Sequence, residues 1–101
     1  MKYTYEEENN NLKVKLDEEL DMNSCKILRT IIDGYIMKYS PISCELDMTE
    51  VKFMDSSGLG FIMGRYNLLN MLNASLIIYT GDRSIKKIIN MSNLGEKIKV
   101  M

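Results

Sequence analysis

Asp55-Ser56-Ser57-Gly58 puts a carboxylate and two hydroxyls directly before an apolar helical pattern, Leu59, Ile62, Met63, Tyr66 and Leu69. Such residues cap helix starts, where the first backbone N–H groups lack partners and the dipole end is positive. Capping alone accounts for the motif. The same site also tolerates an anion, so a phosphoryl group on a serine here, with about −1.5 to −2 charge, fits without unfolding the domain. It would still set that charge beside Asp55, and beside Asp21 if the loop after the second strand runs alongside. A partner shaped for a neutral hydroxyl would then be repelled. Both serines lie near one helix end, and spacing does not separate Ser56 from Ser57.

Other chemistries find less support. The chain has no histidine, so Ser56 has no imidazole base to activate it as a nucleophile, and no lysine is convincingly paired with it. We therefore expect no enzyme. Gly58, Gly60 and Gly64 lack the spacing of a dinucleotide loop, and no Lys-Ser/Thr follows as a phosphate loop requires. These glycines instead predict close approach of another element to the early helix turns. Asp17, Glu18, Glu19, Asp21, Asp47 and Asp55 are read as solvated or capping carboxylates rather than a cation site, and no metal or cofactor is expected. Arg83, Lys86 and Lys87 form a small solvated patch on the third helix.

The elements that must position this motif follow from periodicity. Residues 2–7 and 12–17 flank an Asn9–Asn11 turn, and Leu12, Val14 and Leu16 alternate with charged neighbours, which predicts a hairpin. Between about Asn23 and Lys38 the period becomes helical, with Ile27, Ile31 and Tyr35 in one row and Leu28, Ile32 and Ile36 in the next. Residues 42–48 alternate again, with Ile42, Cys44, Leu46 and Met48 inward. The serine-led helix runs to about Leu72, Leu76 to Tyr79 make an inner strand, Asp82 caps a third helix, and Lys97 to Val100 form a peripheral strand. The order β-β-α-β-α-β-α-β predicts one α/β domain over residues 1–101, with a mixed central sheet and crossover helices.

Composition narrows the setting. At 101 residues one core is the expectation, and a formal charge of −1 gives no case for nucleic acid or an anionic membrane. The N-terminus is unlike a signal peptide, and no apolar run nears the roughly 20 residues that span a bilayer. A cytoplasmic protein is expected, with Cys25 and Cys44 as buried thiols.

Phe53-Met54-Asp55-Ser56-Ser57-Gly58-Leu59-Gly60, continuing through Ile62 and Gly64-Arg65-Tyr66, resembles the phosphorylation loop and following helix of the anti-sigma factor antagonists. Glu19-Leu20-Asp21 resembles the acidic turn before that family's first helix, and residues 85–92 resemble its third-helix region, so the likeness to the STAS fold covers nearly the whole chain. The resemblance implies that Ser56 is phosphorylated by an anti-sigma factor that is a serine kinase holding its own ATP. It implies that the unphosphorylated form binds this kinase and frees its sigma factor, and that a PP2C-type phosphatase reverses the modification. Partner binding would fall on Asp21, Asp55, Ser56, Ser57, Gly58 and Leu59. Two departures are visible: Glu18 stands where the family often has glycine, and little chain follows the last strand. A STAS scaffold serving stress response or transport, and a small carboxylate-based phosphotransfer enzyme, are the competing readings.

Overall fold

The computed structural model describes residues 1–101. Strands β1 (Lys2–Glu6) and β2 (Asn11–Lys15) form the expected hairpin, with Asn10 supplying a positive φ of 50° in the connecting turn. Helix α1 (Met22–Tyr39) leads to β3 (Ser43–Asp47), α2 (Ser56–Met71) to β4 (Ser75–Tyr79), and α3 (Arg83–Met91) to β5 (Lys99–Val100). A short 3-10 turn, Asn93–Glu96, follows α3. The sheet order is β1-β2-β3-β4-β5, with β1 antiparallel to β2 and every other pair parallel. Element order and mixed sheet match the expectation.

Register explains which face is covered. Val14, Leu46 and Ile78 lie abreast on neighbouring strands and are fully buried under the helices. Their sequence neighbours Lys15, Asp47 and Tyr79 lie abreast on the opposite, open face. Period-2 alternation is thus converted into a two-layer domain with one core. No helix is long and apolar enough to cross a membrane.

Three expectations need correction. Ile27 and Ile31 are exposed, because α1 turns the row Cys25, Leu28, Ile32 and Ile36 onto the sheet. Tyr35, next in the exposed row, is held by stacking on Tyr3 of β1 at 3.9 Å between ring centroids, as Tyr39 is on Tyr5 at 4.3 Å. Ile42 lies before β3 and is 61% exposed, so the inward set starts at Cys44. On α2, Met63 faces solvent, and Gly58, Phe61, Ile62, Arg65 and Leu69 are the buried positions.

Cys25 and Cys44 are free and buried, as expected. Burial pushes the Cys44 thiol up to about 12 and the Cys25 thiol upward as well. Iodoacetamide at pH 8 is expected to leave both unlabelled in the folded protein and to label both in urea. Rapid native labelling of Cys44, read by intact mass, would contradict the packing described here.

Candidate functional site

Asp55, not a serine, caps α2. Its backbone is extended, and its Oδ1 accepts the Ser57 N–H at 2.8 Å. Asp21 does the same for α1: Oδ1 accepts the Ser24 N–H at 2.9 Å, and Ser24 Oγ accepts the Asp21 N–H at 3.1 Å, a reciprocal capping box. Short polar side chains at these positions satisfy donors that the helix cannot satisfy itself. The serine hydroxyls are thereby spared from capping: of the carboxylate and two hydroxyls that the sequence offered as caps, the carboxylate is used.

The two caps are joined. Leu20 and Met54 form an isolated parallel bridge, in which the Leu20 N–H donates to the Phe53 carbonyl at 3.0 Å and the Asp55 N–H donates to the Leu20 carbonyl at 3.3 Å. Asp21 and Asp55 therefore occupy matching positions on adjacent segments, as the sequence reading anticipated. Both carboxylates contribute to raising the nearby Cys25 thiol, after burial itself.

Gly58 makes this apposition possible. A Cβ there would lie 2.1 Å from Met54 Cγ and 3.1 Å from Leu20 Cβ, so a side chain at position 58 would drive the buried Met54 side chain from its place over the first turn of α2. Gly60 and Gly64 meet nothing within 4 Å, so the close approach expected of all three glycines is made by one. We expect Gly58→Val to destabilise the domain by about 1–3 kcal/mol, the usual cost of overpacking a buried site. Urea denaturation reads this, and a midpoint within error of wild type would show that the bridge yields freely.

Geometry separates the two serines. Ser56 opens α2 and is exposed, whereas Ser57 is half-buried and lines a groove of about 500 Å³ between α1 and α2. Lys26 and Arg29 of α1, with Gly60, Phe61, Gly64 and Arg65 of α2, share that groove. On the other side, helical spacing sets Ser56, Leu59 and Met63 on one face of α2. Leu59 is half-buried, Met63 is 43% exposed, and Phe53, just before the cap, is 47% exposed. Sequence reasoning missed Phe53 and Met63 as surface, although their places three residues before and seven residues after Ser56 were the available signal. Of the residues expected to meet a partner, the structure gathers Asp21, Asp55, Ser56, Ser57 and Leu59 at one end of the domain. Gly58 is there too, but buried beneath the loop.

Arg65 was also unforeseen as a core residue. Its side chain is 5% exposed: Nε lies 2.7 Å from Asp33 Oδ1 as an ionic contact off hydrogen-bond angle. Nη2 donates to Asp33 Oδ2 at 3.2 Å, and Nη1 donates to the Phe61 carbonyl at 3.3 Å. This pair ties α1 to α2. Carboxylates do not assemble into a metal-holding cluster: Asp17 meets the terminal amine at 3.3 Å, and Asp47 accepts from Thr49.

Residues 2–101 match the STAS domain family. An anti-sigma F factor antagonist of Paenibacillus polymyxa is 32% identical over 82% of this chain and 71% of its own length. An anti-sigma-B factor antagonist of Listeria monocytogenes is 22% identical over 94% of this chain and 82% of its own. The fold is similar to that of unphosphorylated SpoIIAA, an anti-sigma factor antagonist, with TM-score 0.80 at 23% identity over 99% of this chain and 88% of that one. It is similar also to the phosphorylated form of Bacillus SpoIIAA, at TM-score 0.73 and 23% identity over 99% and 91%. The chain belongs to the STAS domain family, in its anti-sigma factor antagonist group.

Proposed function

We propose that this regulatory, non-catalytic domain is an anti-sigma factor antagonist acting in the cytoplasm by partner switching. Unphosphorylated, it docks the Ser56 end of α2, with Asp21, Asp55, Ser57 and Leu59 around it, on an anti-sigma factor serine kinase and releases the sigma factor. Gly58 shapes that surface from below. Phosphorylation of Ser56 by the same kinase, with ATP held by the kinase, ends the complex, and a PP2C-type phosphatase restores it.

One observation carries the reading: Ser56 is an exposed hydroxyl in the first turn of a helix whose cap is already supplied by Asp55. Phosphate can be added there without taking a structural hydrogen bond away, so the modification changes the surface and spares the fold. Ser57 is less suited, being half-buried toward α1. The test is to incubate the protein with ATP and the serine-kinase anti-sigma factor of its own genome, then map the product by fragment mass spectrometry. One phosphate on Ser56 is expected, and modification of Ser57 alone, or of neither, refutes the mechanism.

The likeness to an anti-sigma-B factor antagonist supports a second reading, in which the same switch frees a sigma B-type rather than a sigma F-type factor. Competition of the protein against sigma F-type and sigma B-type complexes in one assay distinguishes them, by which sigma factor is displaced.

A further inference from the structure

The two ends of the sheet are protected differently. β5 is only two residues long, and a short edge offers little backbone to pair with. β1 is a full five residues, paired on one side only, with uninterrupted register from Lys2↔Lys15 to Glu6↔Asn11 and neither proline nor bulge. Its outer backbone groups form a template for another strand.

Lys2-Tyr3-Thr4-Tyr5-Glu6 is complementary to itself when run antiparallel about Thr4. Thr4 then opposes its own copy, Tyr3 opposes Tyr5, and Lys2 opposes Glu6 twice over. Directly opposite residues share a face, so the lysine and glutamate meet on the open face of the sheet, where both are exposed. On the helix-covered face the tyrosines meet. Tyr3 and Tyr5 already stand stacked on Tyr35 and Tyr39 of α1, and the Tyr3 and Tyr39 hydroxyls lie 3.3 Å apart, so this aromatic surface is ordered before any partner arrives. Rigid tyrosines at a rim are effective association surfaces because little rotamer freedom remains to be lost. Glu6 is meanwhile held by Lys13 of β2 at 3.5 Å and by Asn9 of the hairpin turn at 3.0 Å, and an arriving lysine adds to that arrangement without displacing it.

We propose that the β1 edge is a homodimer interface: two copies pair β1 with β1 antiparallel about Thr4 into a continuous ten-stranded sheet. The occupant is a second copy because charge and aromatic positions match under the two-fold operation, which an unrelated strand has no reason to satisfy. The proposal is independent of the function assigned to Ser56. α1 turns Tyr35 and Tyr39 toward β1 but Arg29 and Asp33 toward α2, so dimerisation leaves the capped ends free.

Sedimentation equilibrium of the full chain, across about 1–500 µM at low salt, is the measurement. Wild type is expected to dimerise reversibly. Lys2→Glu and Glu6→Lys each set like charges opposite one another at two places and are expected to weaken association about tenfold, while the double reversal restores it. Thr4→Lys, at an exposed position, sets a charge against itself on the two-fold axis and is expected to leave monomers with unchanged circular dichroism. A wild type that stays monomeric overturns the proposal. So does a dimer indifferent to all of these variants, which would place the contact elsewhere on the surface.

Discussion

Ser56→Asp is expected to fold like wild type and to lose most of its affinity for the proposed kinase partner. A carboxylate at the first position of α2 faces a favourable dipole, worth about 0.3–1 kcal/mol, against repulsion from the neighbouring Asp55, so the thermal midpoint should move by little. At the docking surface the balance is one-sided. Asp21 and Asp55 already bring two carboxylates to this end of the domain, across the Leu20–Met54 bridge, and a partner that accepts them with a neutral serine between would meet a third desolvated charge. A loss of about 2–4 kcal/mol, roughly 30- to 1000-fold in Kd, is expected by calorimetry. Ser57→Asp separates site from mere charge: it faces the α1–α2 groove, with Lys26 and Arg29 on its walls, and should cost less than tenfold. Equal losses for the two variants would mean that net charge, not the exposed face of α2, governs docking.

Arg65→Ala should be among the most damaging single changes to stability. It removes a side chain that is 5% exposed, packed 5.2 Å from the Phe61 ring centroid, and leaves Asp33 without its counter-ion. Fully buried pairs broken on one side lose about 3–5 kcal/mol, and since Asp33 is 33% exposed and can recover water, about 2–4 kcal/mol is the expected loss. Against a total of about 5–15 kcal/mol, that brings the domain near its limit. Arg65→Met with Asp33→Asn should recover about half, because packing returns and no charge is stranded. Chemical denaturation of wild type, Arg65→Met, Asp33→Asn and the double variant measures the coupling; additive losses would show that the ion pair itself contributes nothing.

What was legible in the sequence was what local pattern controls. Leu12, Val14 and Leu16 alternate and are buried; Asp82, placed as a cap, accepts the Ile85 N–H at 3.0 Å. What local pattern does not control was misread. Ile27 and Ile31 look like core because they sit at helical spacing, yet α1 can press only one row onto the sheet, and Cys25 with Leu28, Ile32 and Ile36 makes the better fit. Arg65 reads as surface by residue type, and its carboxylate partner lies 32 residues away. The spacing of Gly58, Ile62, Arg65 and Leu69, all on the buried side, was the signal that charge obscured. Ser56 and Ser57 could not be told apart until a helix axis fixed which one turns toward α1.

Strand order along the sheet repeats strand order along the chain. A polypeptide emerging from the ribosome amino end first therefore never has to reserve a gap for a strand not yet made: each newcomer adds beside the one just before it. Contacts stay near in sequence for a largely parallel sheet, which favours quick folding. The last strand of the sheet, only two residues long, is also the one the rest can best wait for.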